Sequence, residues 1–368
     1  MSVASIQPHV DNRMDSSLDS VPSYAGIIGE RPSVYAKSPS IWNPAFRALG
    51  LPFVYTAFDV VQAAALGGLV AALRDDPRYL GGNVTMPYKV AVMPHLDDID
   101  AAARSIGAVN TIARDDAGRL IGYNTDGQGA IDSLTKVQPS GGAPLFASLE
   151  GCRTLLLGAG GAARAVAFAV ASATGGAPLY IANRDASKAR ELADGVRSSF
   201  GTAHAIDETE IADVIGEVDL VANCSTKGQT GLRDGGNGRA ITLEPYSALA
   251  AANPSPAPRA DREEAVILHE TVAASKSDID RNAAESLALC LAMRPATVCF
   301  DAVYAPLESA FLRHARLTGH RTVNGKGMNV GQAADGMFNR VCRPALRAAS
   351  RWTPDTYAEI LRVMYDVW

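Results

Sequence analysis

The stretch LLLGAGGAARA (Leu155 to Ala165) limits the fold more than any other part of this chain. A leucine run, a glycine turn and an apolar alanine-rich helix follow one another without a break. Gly158, Gly160 and Ala163 occupy the three places of the pattern G-x-G-x-x-G/A. The first makes the tight turn, the second lets a backbone approach a pyrophosphate, and the third lets helix and strand pack closely. The amides of the turn and helix start, Gly158, Ala159, Gly160, Gly161 and Ala162, then face the phosphates. A tight β-α turn with no ligand has the same glycines, but the strand before and the helix after are the context a dinucleotide site requires.

The rest of the chain continues the alternation. APLYIANRDASKARELA supplies a strand and a helix, EVDLVANCS a third strand and ATVCFDAVY a fourth, near residue 300. This repeat predicts a doubly wound parallel sheet. Ahead of it, YAGIIG and FVYTAFDV read as strands, PSIWNPAFRALGL as a helix closed near Gly50, and an alanine-rich helix reaches about Leu73. A short strand at GGNVT precedes a helix expected from Pro87, since proline suits the first helical position. The first third is thus a second α/β unit. KVQPSGGAPLFASLEG marks the boundary between the two.

These features predict three regions. Residues 1–21, polar and without an apolar signal core, read as a disordered leader. Residues 22–135 with 328–368 form one domain, the tail from Gln332 to Trp368 being helical, and residues 136–327 form the dinucleotide domain. Within the latter, residues 229–290 are polar and proline-rich and read as a mobile surface insertion with helical pieces.

Composition excludes several classes. The 368 residues are 47% hydrophobic and 20% charged, with a net charge of −5. That is a globular chain with ample core, and it lacks the basic balance of a nucleic-acid binder. No apolar run approaches the roughly 20 residues of a membrane span. The cysteines, Cys152, Cys224, Cys290, Cys299 and Cys342, are scattered and odd in number, so reduced, buried thiols and a cytoplasmic location are expected. The six histidines form no metal-binding spacing.

The second strand of the dinucleotide unit ends at Asn183-Arg184. An NAD site usually places an acid there for the ribose hydroxyls. Arg184 suits a 2′-phosphate instead, Lys188 adds a cation, and Asp185 would oppose a phosphate while suiting ribose hydroxyls. NADP is the preferred cofactor, and NAD stays open.

Seven motifs occur in one order: GGNVTMPYK, SIGAVNTI, GRLIGYNTDGQG, LGAGGAARA, ANR, FDAVYAP and NGKGMNVGQA. Together they resemble the shikimate/quinate dehydrogenase family from about Gly26 to Phe338, with the insertion outside the match. GLPFVYTAFDV and GYNTDGQG look most like the quinate/shikimate subgroup. The resemblance implies an N-terminal substrate-binding domain, a Rossmann-type dinucleotide-binding domain and a cleft between them. The implied substrate is a cyclic polyol acid such as shikimate or quinate, with 3-dehydroshikimate or 3-dehydroquinate as keto partner. It makes Lys89 and Asp126 catalytic. Ser38, Thr85, Asn110, Tyr304 and Gln332 would bind substrate, Ala302 and Gly325 would lie near the nicotinamide, and Asn223, Cys224 and Ser225 would line the cofactor cleft. A homodimer is common in the family.

The chemistry agrees with the pair. Oxidising a secondary alcohol removes a hydride and a proton, and a group on the hydroxyl must take that proton and return it in reverse. The residues do not say which of the two carries it. Taken alone, Asp126 in Asn-Thr-Asp-Gly reads as a turn-capping carboxylate. Thr85 fits a cap, Asn110 a turn, Tyr304 a half-buried core residue and Gln332 a helix surface. Two positions depart from the family pattern. Where the family has His-Ser-x-Ser-Pro, this chain reads YAKSP, so Ser38 is kept while Ala36 removes one hydroxyl and Tyr35 replaces histidine. A lost hydrogen bond to a charged group weakens a carboxylate anchor about ten- to a hundredfold unless Tyr35 or Lys37 replaces it. Asn329 stands where the family has leucine, which places a polar group toward the nicotinamide end. A dehydrogenase of a modified cyclitol or aminoshikimate-like ring, and a silent ligand-sensing regulator, are the rival readings. A sensor has no need of the lysine–aspartate pair.

Overall fold

The computed structural model describes residues 3–259 and 262–368. The chain divides into two compact units. One comprises Met1–Asp132, Gln138–Gly142 and Gly327–Trp368, the other Ser133–Val137 and Ala143–Lys326.

The first unit is built on a mixed six-stranded sheet. Its strands are β1 (Ser23–Gly29), β2 (Phe53–Asp59), β3 (Tyr79–Val84), β4 (Asp98–Ile99), β5 (Thr111–Arg114) and β6 (Leu120–Tyr123), in the order β2-β1-β3-β5-β6-β4. β1 pairs in parallel with β2 and β3, whereas β3–β5 and β5–β6 are antiparallel. Helix Ser38–Ala48 buries Ile41, Trp42, Ala45 and Phe46 on one side of the sheet. Those residues share a core with Val330, Ala333, Met337 and Phe338 from the C-terminal helices. Leu66, Leu69, Val70 and Leu73 of helix Leu66–Asp75 cover the other side.

Residues 3–21 are not a disordered leader. Ile6, Val10, Met14 and Leu18 are buried in that second core, and Asp11 donates its backbone N–H to Asp59 O at 2.7 Å. Asn12 bonds both Ala57 O and Asp59 N and so edges strand β2. Four apolar side chains at a spacing of four residues supply the burial that offsets ordering an otherwise polar segment.

The helix expected from Pro87 is also absent. Residues 86–92 form consecutive turns, followed by a short 3₁₀ turn at Met93–His95. Lys89 O accepts from Val109 N at 2.7 Å instead of from a residue one helical turn on. The segment is tied to itself by single turns and across to the residues just ahead of β5.

The second unit carries the predicted parallel sheet. β7 (Thr154–Leu157), β8 (Leu179–Ala182), β9 (Ala203–Ile206), β10 (Leu220–Asn223), β14 (Val298–Asp301) and β15 (Arg321–Val323) lie in the order β15-β14-β10-β7-β8-β9. All five pairings are parallel. Read from β9, this is the 3-2-1-4-5-6 order of the dinucleotide fold. The central strands are short, buried apolar runs because helices cover both faces.

The insertion is a folded element rather than a loose excursion. β11 (Leu232–Gly236), β12 (Arg239–Thr242) and β13 (Ala257–Pro258) make a small antiparallel sheet, and helices Glu264–Ala274 and Lys276–Ala292 follow. Its interior is specified by polar ties. Buried Asn282 accepts from Ser247 N and donates to Ser247 O, Ala250 O and Ala251 O. Lys227 bonds both Glu208 and Ala250 O. All five cysteines are buried thiols outside any disulfide.

Candidate active site

In the first unit, three sheet ends and one helix meet at a polar cluster. Lys89 rises from the turn after β3, and Asp126 opens helix Asp126–Thr135 just after β6. The Lys89 ammonium donates to Asp126 Oδ2 at 2.5 Å, with 17% and 8% of the two side chains exposed. Asp126 Oδ1 accepts from Asn110 Nδ2 at 2.8 Å. Asn110 Oδ1 in turn accepts from Thr125 N at 2.8 Å and Thr111 Oγ1 at 2.9 Å. Gln332 Oε1 lies 3.4 Å from Asn110 Nδ2 and from Asn83 Nδ2. The carboxylate is held on both oxygens, and one of the three ammonium donors is committed to it. Asp126 N–H is taken by Asn124 Oδ1 at 3.1 Å, so the turn-forming role read from Asn-Thr-Asp is also real and falls to Asn124.

Ser38 joins from the side. It is buried close to the Tyr55 phenol. Tyr55 donates to Asn83 Oδ1 at 2.7 Å, and desolvation pushes its phenol well above the ordinary tyrosine range. Tyr55, Asn83 and Thr125 were not singled out from sequence. Their signal was a polar residue inside an otherwise apolar strand or strand end.

Thr85 follows β3 directly. A Cβ on Gly29 would lie 2.5 Å from Thr85 Cγ2 and 3.1 Å from Tyr35 Oη, so threonine and tyrosine stand side by side. Tyr35 Oη is 3.4 Å from Met86 O. The residue that replaces the family histidine thus brings a hydroxyl next to Thr85, while Ala36 brings none.

Asn329 has its side-chain oxygen engaged within the first unit. Its Oδ1 accepts from Trp368 Nε1 at 3.1 Å, and its carbonyl accepts from Gln332 Nε2 at 3.0 Å. Lys37 lies over the Trp368 ring at 5.4 Å. An amide is needed there because an indole N–H in a partly buried place requires an acceptor. Leucine could not supply one.

In the second unit, Gly158 has φ +111, and a Cβ on it would meet the backbone of Cys224 and Ser225 at 3.0 Å. Only glycine fits that place. A Cβ on Gly160 would meet nothing, so the turn stays open above the start of helix Gly161–Ala173. Ala159, Gly161 and Ala162 belong to the same turn and helix start, which suits a pyrophosphate. Asn183 and Arg184 follow β8. Asp185 caps helix Ala186–Phe200, accepting from Ser187 N at 3.0 Å and Ser187 Oγ at 2.6 Å. Its hydrogen bonds to Ser187 hold its carboxyl below the usual range. The Lys188 ammonium stands 3.9 Å from it. The acid that sequence left available for ribose hydroxyls is committed to its own helix, and Arg184 is exposed beside it. Gly325 packs where a side chain would collide with the Ala302 carbonyl, and its N–H donates to Val303 O at 3.0 Å. Tyr304 follows, half-buried, its phenol raised by desolvation. Asn223, Cys224 and Ser225 follow one another at the end of β10.

The dinucleotide fold and a buried lysine–carboxylate pair define an NAD(P)-linked dehydrogenase of two α/β units. Residues 27–112 match the shikimate dehydrogenase substrate binding domain and residues 142–240 match shikimate / quinate 5-dehydrogenase. The shikimate dehydrogenase (NADP(+)) of Geobacillus kaustophilus is 33% identical over 313 residues, 84% of this chain and 89% of that protein. That of Symbiobacterium thermophilum is 36% identical over 317 residues, 84% and 85% of the two chains. Among solved structures, the shikimate 5-dehydrogenase of Thermus thermophilus with NADP(H) and shikimate is 26% identical, with a TM-score of 0.62 over 94% of this chain and 100% of that one. The ligand-free 5-ketofructose reductase of Gluconobacter sp. strain CHM43 is 27% identical, also with a TM-score of 0.62, over 94% and 99%. This chain belongs to the shikimate dehydrogenase family.

Proposed function

We propose that the protein catalyses reversible, NADP-linked oxidation of a ring hydroxyl of shikimate, quinate or a close cyclic polyol acid. The observation that carries this reading is the Lys89–Asp126 pair, buried at 2.5 Å among hydrogen-bonding amides. Such a pair has little structural reason to exist, since desolvating two charges offsets most of their attraction. Its retention inside a cluster of Asn110, Asn83 and Gln332 is what a hydroxyl-binding proton-transfer site needs.

A bound nicotinamide would accept the hydride from the carbinol carbon and return it in the reverse direction. The chain's own residues do the remainder. Lys89 directs its remaining ammonium protons at the reacting oxygen. That oxygen loses its proton to the lysine–aspartate pair on oxidation and regains it on reduction. Asp126 fixes the lysine head and is itself fixed by Asn110. Gln332, Ser38 and Thr85 are assigned to ring hydroxyls and the acid group. Tyr304 takes its substrate role from the family pattern. The capping of Asp185 supports NADP over NAD, because the acid that could accept ribose hydroxyls has one oxygen engaged by its own helix while Arg184 is exposed to pair with a 2′-phosphate. NAD remains usable through the same turn.

A second reading is favoured by one observation. Ala36 leaves the acid anchor a hydroxyl short, and the family relative from Gluconobacter is by name a ketofructose reductase. A ring or chain whose substituent at that end is not a carboxylate fits the altered anchor. Initial rates with quinate or shikimate and NAD⁺ or NADP⁺, on the native protein and Ala36→Ser, test both. Turnover of either acid by the native protein supports the first reading. Turnover that appears only in Ala36→Ser supports the second. No turnover in either protein would overturn the polyol-acid assignment. The family's cytoplasmic setting and a homodimer belong to the same proposal, and size-exclusion chromatography with light scattering tests the dimer.

A further inference from the structure

The loop between β14 and helix Ala310–Leu317 carries Tyr304, and the residue that ends β14, Asp301, is a fully buried carboxyl. Asp301 Oδ1 accepts from Asn223 Nδ2 at 2.8 Å and from Val303 N at 2.9 Å. Asp301 Oδ2 accepts from Ser309 Oγ at 2.5 Å. Val303 lies at the start of the loop and Ser309 at its end, where Ser309 also caps the following helix. One carboxyl therefore closes the loop on itself and ties it to the end of β10. Asn223 passes the constraint on. Its Oδ1 accepts from Ser225 N at 2.9 Å and Ser225 Oγ at 2.7 Å, shaping the backbone that packs on Gly158. The middle of the loop has a separate tie. Ala305 O, next to Tyr304, accepts from Thr230 N at 2.9 Å and Thr230 Oγ1 at 3.0 Å. Thr230 opens the folded insertion, just ahead of β11.

We infer that Asp301 and Thr230 are positioning residues for the family reaction, fixing the Tyr304 loop, and that the insertion takes part in function through this tie. The inference rests on the dehydrogenase reading given above. A carboxyl taken wholly out of water needs its hydrogen bonds satisfied, and here all come from the loop or the strand beside it. The residues so fixed are Ala302, which Gly325 packs against, and Tyr304. The insertion holds Ala305 with two bonds from one residue, which a passive appendage does not require.

A double-mutant cycle against Tyr304→Phe tests this in the full-length enzyme, reading kcat and KM for acid and dinucleotide together with the thermal midpoint. The unaltered enzyme is assayed first. Absence of turnover there overturns the functional reading, and the role of the loop falls with it. With turnover established, Asp301→Ala is expected to lower kcat/KM about ten- to a hundredfold, and Thr230→Val about three- to tenfold. Asp301→Asn keeps the oxygen that Asn223 and Val303 use and should recover most of the loss. In the Tyr304→Phe background both losses should shrink to within about twofold. Losses that multiply unchanged in that background, or a lowered thermal midpoint with kcat/KM within about twofold of native, would overturn the inference. Where Asp301→Ala does not fold, Thr230→Val, at an exposed position, decides the question by the same cycle.

Discussion

Lys89 and Asp126 stand far apart in sequence and are brought to 2.5 Å by two strand ends, β3 and β6, that a third strand separates in the sheet. Neither residue can be replaced without leaving its partner short of a counter-charge. Lys89→Ala should lower kcat by about 10²–10⁴ while dinucleotide affinity, set in the other unit, stays within about twofold. Initial rates and a fluorescence titration with the reduced dinucleotide separate the two effects, and a fall in dinucleotide affinity equal to that in kcat would contradict the assignment. Arg184 makes the opposite prediction. Arg184→Ala should raise KM for NADP about ten- to a hundredfold, the size of a charge-assisted bond, and leave KM for NAD nearly unchanged. An equal loss for both would mean that Arg184 stacks on the adenine or acts only on fold. Asp185→Ala should instead lower the thermal midpoint, because Asp185 caps its helix.

Elements were legible from the sequence in proportion to how local their causes are. β7, β8, β10 and β14 announced themselves because a strand buried on both faces reads as an apolar run. Helix Ser38–Ala48 and its stop at Gly50 followed from periodicity and glycine. The turn holding Lys89 did not, because what ends the expected helix is a bond from Val109, distant in sequence. β5 and β6 are four-residue strands joined as a hairpin, and the pairing that places them in the sheet, β5 on β3, is likewise non-local. Of the site, the motif residues were found through a family pattern. Asn83, Tyr55 and Thr125 were missed because only the fold shows them facing one another. The N-terminal segment was misread on composition, although Ile6, Val10, Met14 and Leu18 recur every four residues. If that segment is core, Leu18→Ala should cost about 2–4 kcal/mol of stability, read as a lowered midpoint in urea unfolding. A change below about 0.5 kcal/mol would mean the segment is a surface dressing.

On the scale of the whole chain, the two units respond to pH through different groups. In the first, burial acts to raise Asp76 and Asp97, but hydrogen bonds from Arg78, Leu120 and Arg74 outweigh it and hold both below the ordinary carboxylate range. Stability from such groups is present above their unfolded values and is lost only as pH falls through their lowered ones. In the second unit, Asp301 runs the other way. Burial pushes its carboxyl up to about 7, against hydrogen bonds from Ser309, Val303 and Asn223, all neutral, that act to lower it. The folded unit therefore holds a proton that the unfolded chain has released. The sign follows. This group's contribution is fully present below about pH 4 and is lost as pH rises toward 7, at up to roughly 1.4 kcal/mol per pH unit. Asp278, in the same unit, is lowered and acts only below that window. Asp301→Asn removes the proton linkage while keeping the Oδ1 acceptor, so the difference in unfolding free energy between native and variant isolates the one group. Measured by urea unfolding between about pH 4.5 and 7.5, that difference should move steadily in favour of the variant as pH rises. A difference independent of pH would mean that Asp301 is ionised throughout. The carboxylate would then have to gain enough from its three donors to offset its burial completely.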